Sequence, residues 1–305
     1  MTPTYDHICA CICTYKRPTL LAKLLGELQT QVTNGLFTYS IVVVDNDYAH
    51  TAKGTVEAYK RKSVLSIDYY SEAEQNIALA RNKAVDNARG NFIAFIDDDE
   101  FPTSTWLLNL YKAYTKFNAD GILGPVKPHF DGKPPNWLIK GKFCERKSHK
   151  TGTVLHWWQT RTGNVLFNKN IFEDKNNRFG PEFGRSGGED IEFFKKIMIS
   201  DGRVFIWCNE ALVYETVPPE RWEKSYYIKK FLRIGGLSGE KTRKTPDLMY
   251  LLIKVVIAFI LYMVALPFSL LLGKHIYVKC LIKVAYNFSW LAGFCGYVII
   301  RNKDD

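Results

Sequence analysis

The sequence lacks a basic amino-terminal stretch followed by an apolar run and a cleavage site, so Met1 to Tyr15 is not read as a signal peptide. It has no CxxC pair and no paired histidines, which removes the usual zinc frameworks. Its seven cysteines are an odd count that does not suit a secreted disulfide scaffold, so a reducing compartment is expected. No Gly-x-Gly-x-x-Gly turn follows the first strand, which speaks against a dehydrogenase. Internal repeats, low-complexity tracts and recognised nucleic-acid motifs are absent as well. Acidic charge is scarce: 41 Lys+Arg stand against 31 Asp+Glu, a net +10 that suits polyanions such as nucleic acid, diphosphate substrates or an anionic membrane surface. What is present suits a folded chain. Its residues are 47% hydrophobic and 24% charged, and 305 residues allow one large α/β domain or two smaller ones at roughly 150 residues each.

Strand and helix signals alternate along the body. His7 to Cys13 reads as a strand, Pro18 to Gln31 as a helix with leucines at helical spacing, and Ser40 to Val44 as a buried strand ending in Asp45-Asn46-Asp47. A helix over Thr51 to Lys62, a strand over Leu65 to Tyr70 and a helix over Ile77 to Ala88 closing at Gly90 follow. Phe92 to Ile96 is a second buried strand, Trp106 to Phe117 a helix, and Gly121 to Val126 another strand. Lys127 to Thr151 reads as a variable loop, and Asp190 to Ile199 returns to helical period. The rhythm predicts a mostly parallel, doubly wound sheet that binds ligands at the carboxyl ends of its strands.

Three groups of residues carry chemistry. Asp97-Asp98-Asp99 directly follows a hydrophobic strand, and three adjacent carboxylates repel one another unless a cation offsets them. Mg²⁺ or Mn²⁺, with phosphate oxygens completing its shell, would do so; a solvated acidic turn is the plainer alternative. Gly187-Gly188-Glu189-Asp190 precedes a helix, so Asp190 is either a general base toward a hydroxyl or an ordinary capping carboxylate. Thr14-Tyr15-Lys16-Arg17-Pro18 joins a strand end to a helix start with an aromatic and two cations, which suits a nucleotide and its phosphates. Cys9, Cys11 and Cys13 alternate along one strand and read as small buried hydrophobes. Trp157 and Trp158, upstream of Thr162-Gly163-Asn164, either stack on an acceptor sugar or belong to the core.

The order of these segments, with Asn76 through Arg81-Asn82 between the second strand and the acidic triplet, resembles a family 2 glycosyltransferase of GT-A fold over about residues 7 to 240. Val213 to Arg221, followed by Gly235, resembles the bacterial succinoglycan-type exopolysaccharide branch. The resemblance implies that Thr14, Tyr15, Arg17 and Asp45 hold nucleobase and ribose, with Asp47 and Asn76 on the same donor side. It implies that Arg81 lies near the uracil of a UDP-sugar, that Asp98 takes the ribose, that Asp99 with Asp97 holds Mn²⁺ or Mg²⁺, and that Asp190 is the base. Glu189, Trp158 and Asn164 fall on the acceptor side. Two departures stand out. Glu215 stands near the position where many members have a histidine metal ligand, and the Gln-x-x-Arg-Trp signature of processive synthases is incomplete at Glu220-Arg221-Trp222, which points to addition of single sugars.

Val255 to Leu272 and Val284 to Ile300 carry no charge, and each is roughly 25–27 Å long as a helix. The expected organisation is therefore a GT-A domain over 1–245 and a membrane-associated helical hairpin over 246–305. Lys279, Lys283 and Asn287 also recur every four residues, which would suit a helix lying in the interface instead. The basic stretch from Arg221 to Asp247 reads as facing anionic lipid at the cytoplasmic side of the plasma (inner) membrane. The expected activity is metal-dependent, inverting transfer from a UDP-sugar to a hydroxyl of a lipid-linked oligosaccharide. The rivals are transfer to polyprenyl phosphate and, from another class, a basic nucleic-acid-binding or scaffold protein.

Overall fold

A computed structural model describes residues 6–184, 187–243 and 248–300. The chain divides into two compact units: residues 6–129 with 146–216, and residues 130–145 with 217–300.

The first unit is built on strands β1 (Asp6–Thr14), β2 (Phe37–Asp45), β3 (Ile67–Ser71), β4 (Phe92–Phe95), β5 (Glu100–Pro102), β6 (Gly121–Leu123), β7 (Val126–His129), β8 (Val165–Asn168), β9 (Phe205–Trp207) and β10 (Val213–Thr216). Seven of them form one sheet in the order β3-β2-β1-β4-β8-β6-β9, parallel throughout except for β8, which runs antiparallel to both neighbours. Helices α1 (Pro18–Leu28), α2 (Lys53–Lys60), α3 (Ile77–Asn87), α4 (Trp106–Phe117) and α6 (Glu189–Ile199) cover its faces; the short α5 (Asn136–Lys140) lies in the second unit. This is the doubly wound sheet the alternation predicts. The β6 region differs from expectation: the chain splits there into β6, in the main sheet, and β7, in a small sheet ordered β5-β10-β7. The stretch expected as a variable loop contains β7 and α5.

The two-residue period of β1 sorts its side chains onto two cores. Ile8, Ala10 and Ile12 pack with the leucines of α1 and α4, while Cys9 and Cys11 pack with the alanines of α3 and the phenylalanines of α6. All five are fully buried, as a strand covered on both faces requires. The thiols behave as small hydrophobes. Burial pushes the Cys13 thiol up to about 12 and Cys11 well above its ordinary value, so neither is a nucleophile at neutral pH.

The second unit consists of α5, α7 (Lys224–Thr242), α8 (Leu248–Ser269) and α9 (Lys274–Phe294). The expected boundary at 245/246 falls inside this unit. That junction, with Lys244 and Asp247 of the basic stretch, lies outside the described residues, and α7 belongs with the tail helices rather than with the sheet. The cause is close packing: a Cβ on Gly239 would come within 2.0 Å of the Trp290 carbonyl oxygen, and one on Gly235 within 2.3 Å of the Tyr286 oxygen. Small residues four apart let two helix backbones touch.

Among the described residues only α8, 22 residues with mean hydropathy 2.5, is long and apolar enough to cross a membrane. In α9, Lys279 and Lys283 interrupt the apolar run, and Val278, Asn287 and Trp290 are buried. The helix ends at Phe294, short of Ile300.

Gly239→Ala tests this packing. Alanine gains about 1 kcal/mol in helix propensity over glycine. Forcing the α7 and α9 backbones apart should cost more, about 1–3 kcal/mol net or above. The expected result is a lower midpoint in detergent unfolding; an unchanged or raised midpoint would refute the α7–α9 contact.

Candidate active site

β1, β2 and β4 deliver their carboxyl ends to one place. Thr14, at the end of β1, donates its hydroxyl to Asp98 Oδ2 at 2.8 Å, and Arg17 Nη1 reaches Asp98 Oδ1 at 2.9 Å and Asp99 Oδ2 at 3.1 Å. Lys16 takes a positive φ of 53° in the turn between them, and Pro18 opens α1 at its first position. Tyr15 is half-buried beside the Lys16 ammonium, 5.0 Å away. The segment from Thr14 to Arg17 is thus fastened to the acidic triplet.

Within the triplet the three carboxylates differ. Asp98 is buried, and burial lifts its carboxyl above the ordinary range against the pull of Arg17 and Thr14. Asp99 is pushed up to about 6, first by burial and then by Asp97, with Asp98 and Glu215 adding to it. Asp97 has the most open side chain, 46% exposed. Glu100 continues the run, is fully buried and is driven well above its ordinary value by burial and by Asp97. Four crowded acids, of which Asp98, Asp99 and Glu100 hold their protons more tightly than usual, are a site that a cation would relieve.

The residues fit a divalent ion. Asp97 and Asp99 offer hard oxygens, and Mg²⁺ or Mn²⁺ is commonly held by one or two carboxylates with phosphates and water completing the shell. Among the described residues no group of three or more His, Cys, Asp or Glu is placed to hold a metal ion. Glu215, near the expected third ligand, faces Glu100 across the β5–β10 pairing, and Arg146 binds it there. A guanidinium between two opposed glutamates offsets their repulsion, so the carboxylate of Glu215 is committed to it.

On the other flank, Arg81 from α3 is buried and ion-paired to Glu189, with Asp97 3.9 Å from its second nitrogen. Burial alone would weaken its charge; Asp97 and Glu189, with Cys13 and Asp190, hold its pKa above the ordinary value. Arg81 therefore ties the triplet to the start of α6. Gly187 and Gly188, at φ 82° and 104°, make the left-handed turn that a side chain would strain, and they set Glu189 and Asp190 in the first turn of α6. Asp190 is partly exposed, and its Oδ1 accepts from the Ile191 amide at 2.8 Å.

Three of the residues expected at the site make hydrogen bonds within the protein. Asp47 spends its carboxylate on the turn before α2, accepting from Ala49 N and Thr51 Oγ1. Asn76 caps α3 by accepting from Ala78 and Leu79 amides and donates to the Pro181 carbonyl. Asn164 is fully buried at φ 59°; its amide accepts from Trp106 Nε1 and donates to the carbonyls of Pro125 and Ala211. Short polar side chains near turns satisfy the local backbone first. Asn164→Ala should therefore act on stability, costing about 3 kcal/mol or more by stranding three buried partners. Denaturant titration checks this, and a stable variant with weakened acceptor use would restore the acceptor role.

Asp45 is fully buried; its Oδ2 accepts from the Ala52 amide and the Tyr69 hydroxyl, while Oδ1 has no hydrogen-bond partner among the described residues. Trp157 packs at the rim of the α6 core, whereas Trp158 is 60% exposed and stacks on His156 at 4.3 Å. Sequence reasoning missed Glu100, Arg146 and Arg161. Glu100 was legible as the fourth acid of a run; Arg146 and Arg161 sit in irregular segments with no pattern to mark them. Arg161 is brought down to about 10 by burial and by Arg146, while Glu100, Asp97 and Glu215 act the other way.

Comparison with known proteins agrees with this geometry. Residues 9–183 match the sequence pattern of Glycosyl transferase family 2. The chain is 33% identical over 236 residues to the succinoglycan biosynthesis protein ExoM of Rhizobium meliloti (strain 1021), covering 76% of this chain and 74% of that one. It is 24% identical over 252 residues to the hyaluronan synthase of Pasteurella multocida, of which it spans only 25%. Among solved structures, S. aureus TarS 1-349 in complex with UDP-GlcNAc superposes with a TM-score of 0.55 at 15% identity, over 95% of this chain and 92% of that one. GalNAc-T7 with UDP, GalNAc and Mn²⁺ superposes at 0.53 and 13% identity, over 73% of this chain and 46% of that one. The sheet with its acidic triplet, the matched pattern and the relative at one-third identity lead to one conclusion: the chain belongs to glycosyl transferase family 2 and is a glycosyltransferase.

Proposed function

We propose that the protein transfers one sugar per encounter from a UDP-sugar to a hydroxyl of a lipid-linked saccharide, with inversion, in the assembly of a cell-surface polysaccharide. The observation that carries the reading is the tie that Arg81 makes between Asp97 of the triplet at the end of β4 and Glu189 at the start of α6, next to Asp190. Thr14, Arg17 and Asp98 form a polar cradle suited to ribose, and the unpartnered Asp45 Oδ1 suits an N–H of the base. An unpaired buried acceptor costs about 1–3 kcal/mol, which a nucleoside donor would recover.

A divalent ion held by Asp97 and Asp99 would neutralise charge on the departing diphosphate. Asp190 takes the proton of the acceptor hydroxyl as its oxygen attacks the anomeric carbon; the bond to the UDP oxygen breaks on the opposite face. Arg81 keeps Glu189, and with it the first turn of α6, in register with the triplet. Trp158 is the exposed ring suited to an acceptor sugar.

The succinoglycan relationship supports a polysaccharide acceptor, and α8, with its apolar side chains exposed, supports attachment to a membrane. Thermal shifts across a panel of nucleotide sugars, with and without Mn²⁺, test the donor assignment. Stabilisation by a UDP-sugar that grows with Mn²⁺ is expected; salt-sensitive nucleic-acid binding with no response to any nucleotide sugar would overturn it.

A further inference from the structure

The second unit contains a groove of about 990 Å³, at the upper end of the range for ligand pockets. Its walls are largely apolar, with Phe143, Phe231, Tyr262 and Phe268 on them. Lys142, Lys230, Lys279 and Lys283 stand on the same lining, and no carboxylate does. Lys279 and Lys283 are exposed and one turn apart on α9, an arrangement whose mutual repulsion an anion would relieve. The Lys279 ammonium lies 5.9 Å from the centre of the Phe143 ring. Lys142 shares its charge with Glu145 at 3.5 Å. The carboxyl half of α8, the helix long enough to cross a membrane, supplies Tyr262, Ala265, Phe268 and Leu272.

A lining that is apolar along its walls and cationic among them fits a molecule with a hydrocarbon chain and an anionic head. The charge selects the head. The Lys279 and Lys283 ammonium groups, with Lys142 shared with Glu145, match a diphosphate ester better than the single negative charge of a phosphodiester lipid.

We propose that this groove seats the chain and head of a polyprenyl diphosphate, the carrier of the lipid-linked acceptor. The proposal rests on the acceptor reading above and adds the site that recognises the carrier.

The experiment uses the full chain in phosphatidylcholine nanodiscs with radiolabelled polyprenyl diphosphate as probe. Saturable binding is expected, unaffected by phosphatidylglycerol in excess. The double variant Lys279→Glu, Lys283→Glu should weaken it about 100-fold, since each charged contact is worth about tenfold or more. Ala265→Trp, which fills the groove at an exposed position without changing charge, should weaken it about tenfold. UDP-sugar binding is read in parallel as the measure of an intact first unit and should not change. Displacement by phosphatidylglycerol, equal affinity for the uncharged polyprenol, or full binding by both variants would each overturn the site. Carrier binding that follows the lysines in a chain unable to glycosylate any lipid-linked saccharide would uphold the groove and refute the acceptor reading instead.

Discussion

Replacing Asp190 by asparagine is expected to lower turnover by about 10²- to 10⁴-fold, the usual contribution of a general base, with donor affinity nearly unchanged. Asparagine keeps the size and can still accept from the Ile191 amide, so the start of α6 should survive. Glu189 behaves differently. It is buried, its Oε1 is paired with Arg81, and its Oε2 has no hydrogen-bond partner among the described residues. Glu189→Gln breaks a buried ion pair, a change that typically costs about 3–5 kcal/mol, and should show first as lost stability and a loosened Arg81. The two variants measured together for turnover and unfolding separate the roles. Loss of turnover in Glu189→Gln with a stable fold, and none in Asp190→Asn, would move the base by one residue. If neither variant slows transfer, the acceptor is already ionised, and transfer to polyprenyl phosphate takes over.

The second large effect concerns Asp99. Asp99→Asn should abolish Mn²⁺-dependent donor binding, because it removes one of two carboxylates available to the ion. It should also stabilise the metal-free protein at pH 8 by about 1–3 kcal/mol. The sign follows from the folded-state pKa of about 6, above the usual 3.8. In the folded chain the ionised form is disfavoured, so wild-type stability falls as pH rises from about 4 through 6, and the penalty persists above. The variant lacks that penalty, and its advantage should vanish as pH drops toward 4. Calorimetry from pH 4 to 8, beside donor titrations with Mn²⁺, measures both effects. Unchanged donor affinity would remove Asp99 from the metal site.

Much of this protein was legible in its sequence. Period-2 burial in β1, the run Phe92 to Ile96 and the leucine spacing of α1 encode the sheet and one of its covering helices. Each is a local pattern answering to a single buried face. The acidic triplet could be placed at a strand end for the same reason, and Asp190 at a helix start from the glycines before it. Asp47, Asn76 and Asn164 could not be sorted by type alone. An amide or carboxylate that caps a backbone looks the same in sequence as one that meets a ligand.

The tail divides along the same line. Sequence alone determined that Val255 to Leu272 is apolar and long enough to cross a membrane, because that depends only on composition and the rise of a helix. Only tertiary structure decided that α9 packs along α7, since the contact depends on which face Gly235, Gly239 and Gly293 share. The partners of Arg81, Arg146 and Glu189 were decided there too. Glu189 is 108 residues from Arg81, and Glu215 is 69 residues from Arg146, and no local pattern records a pairing across such distances. Burial is what makes those pairs matter, because a charge removed from water must find an opposite one nearby, and only the folded chain fixes which one it finds.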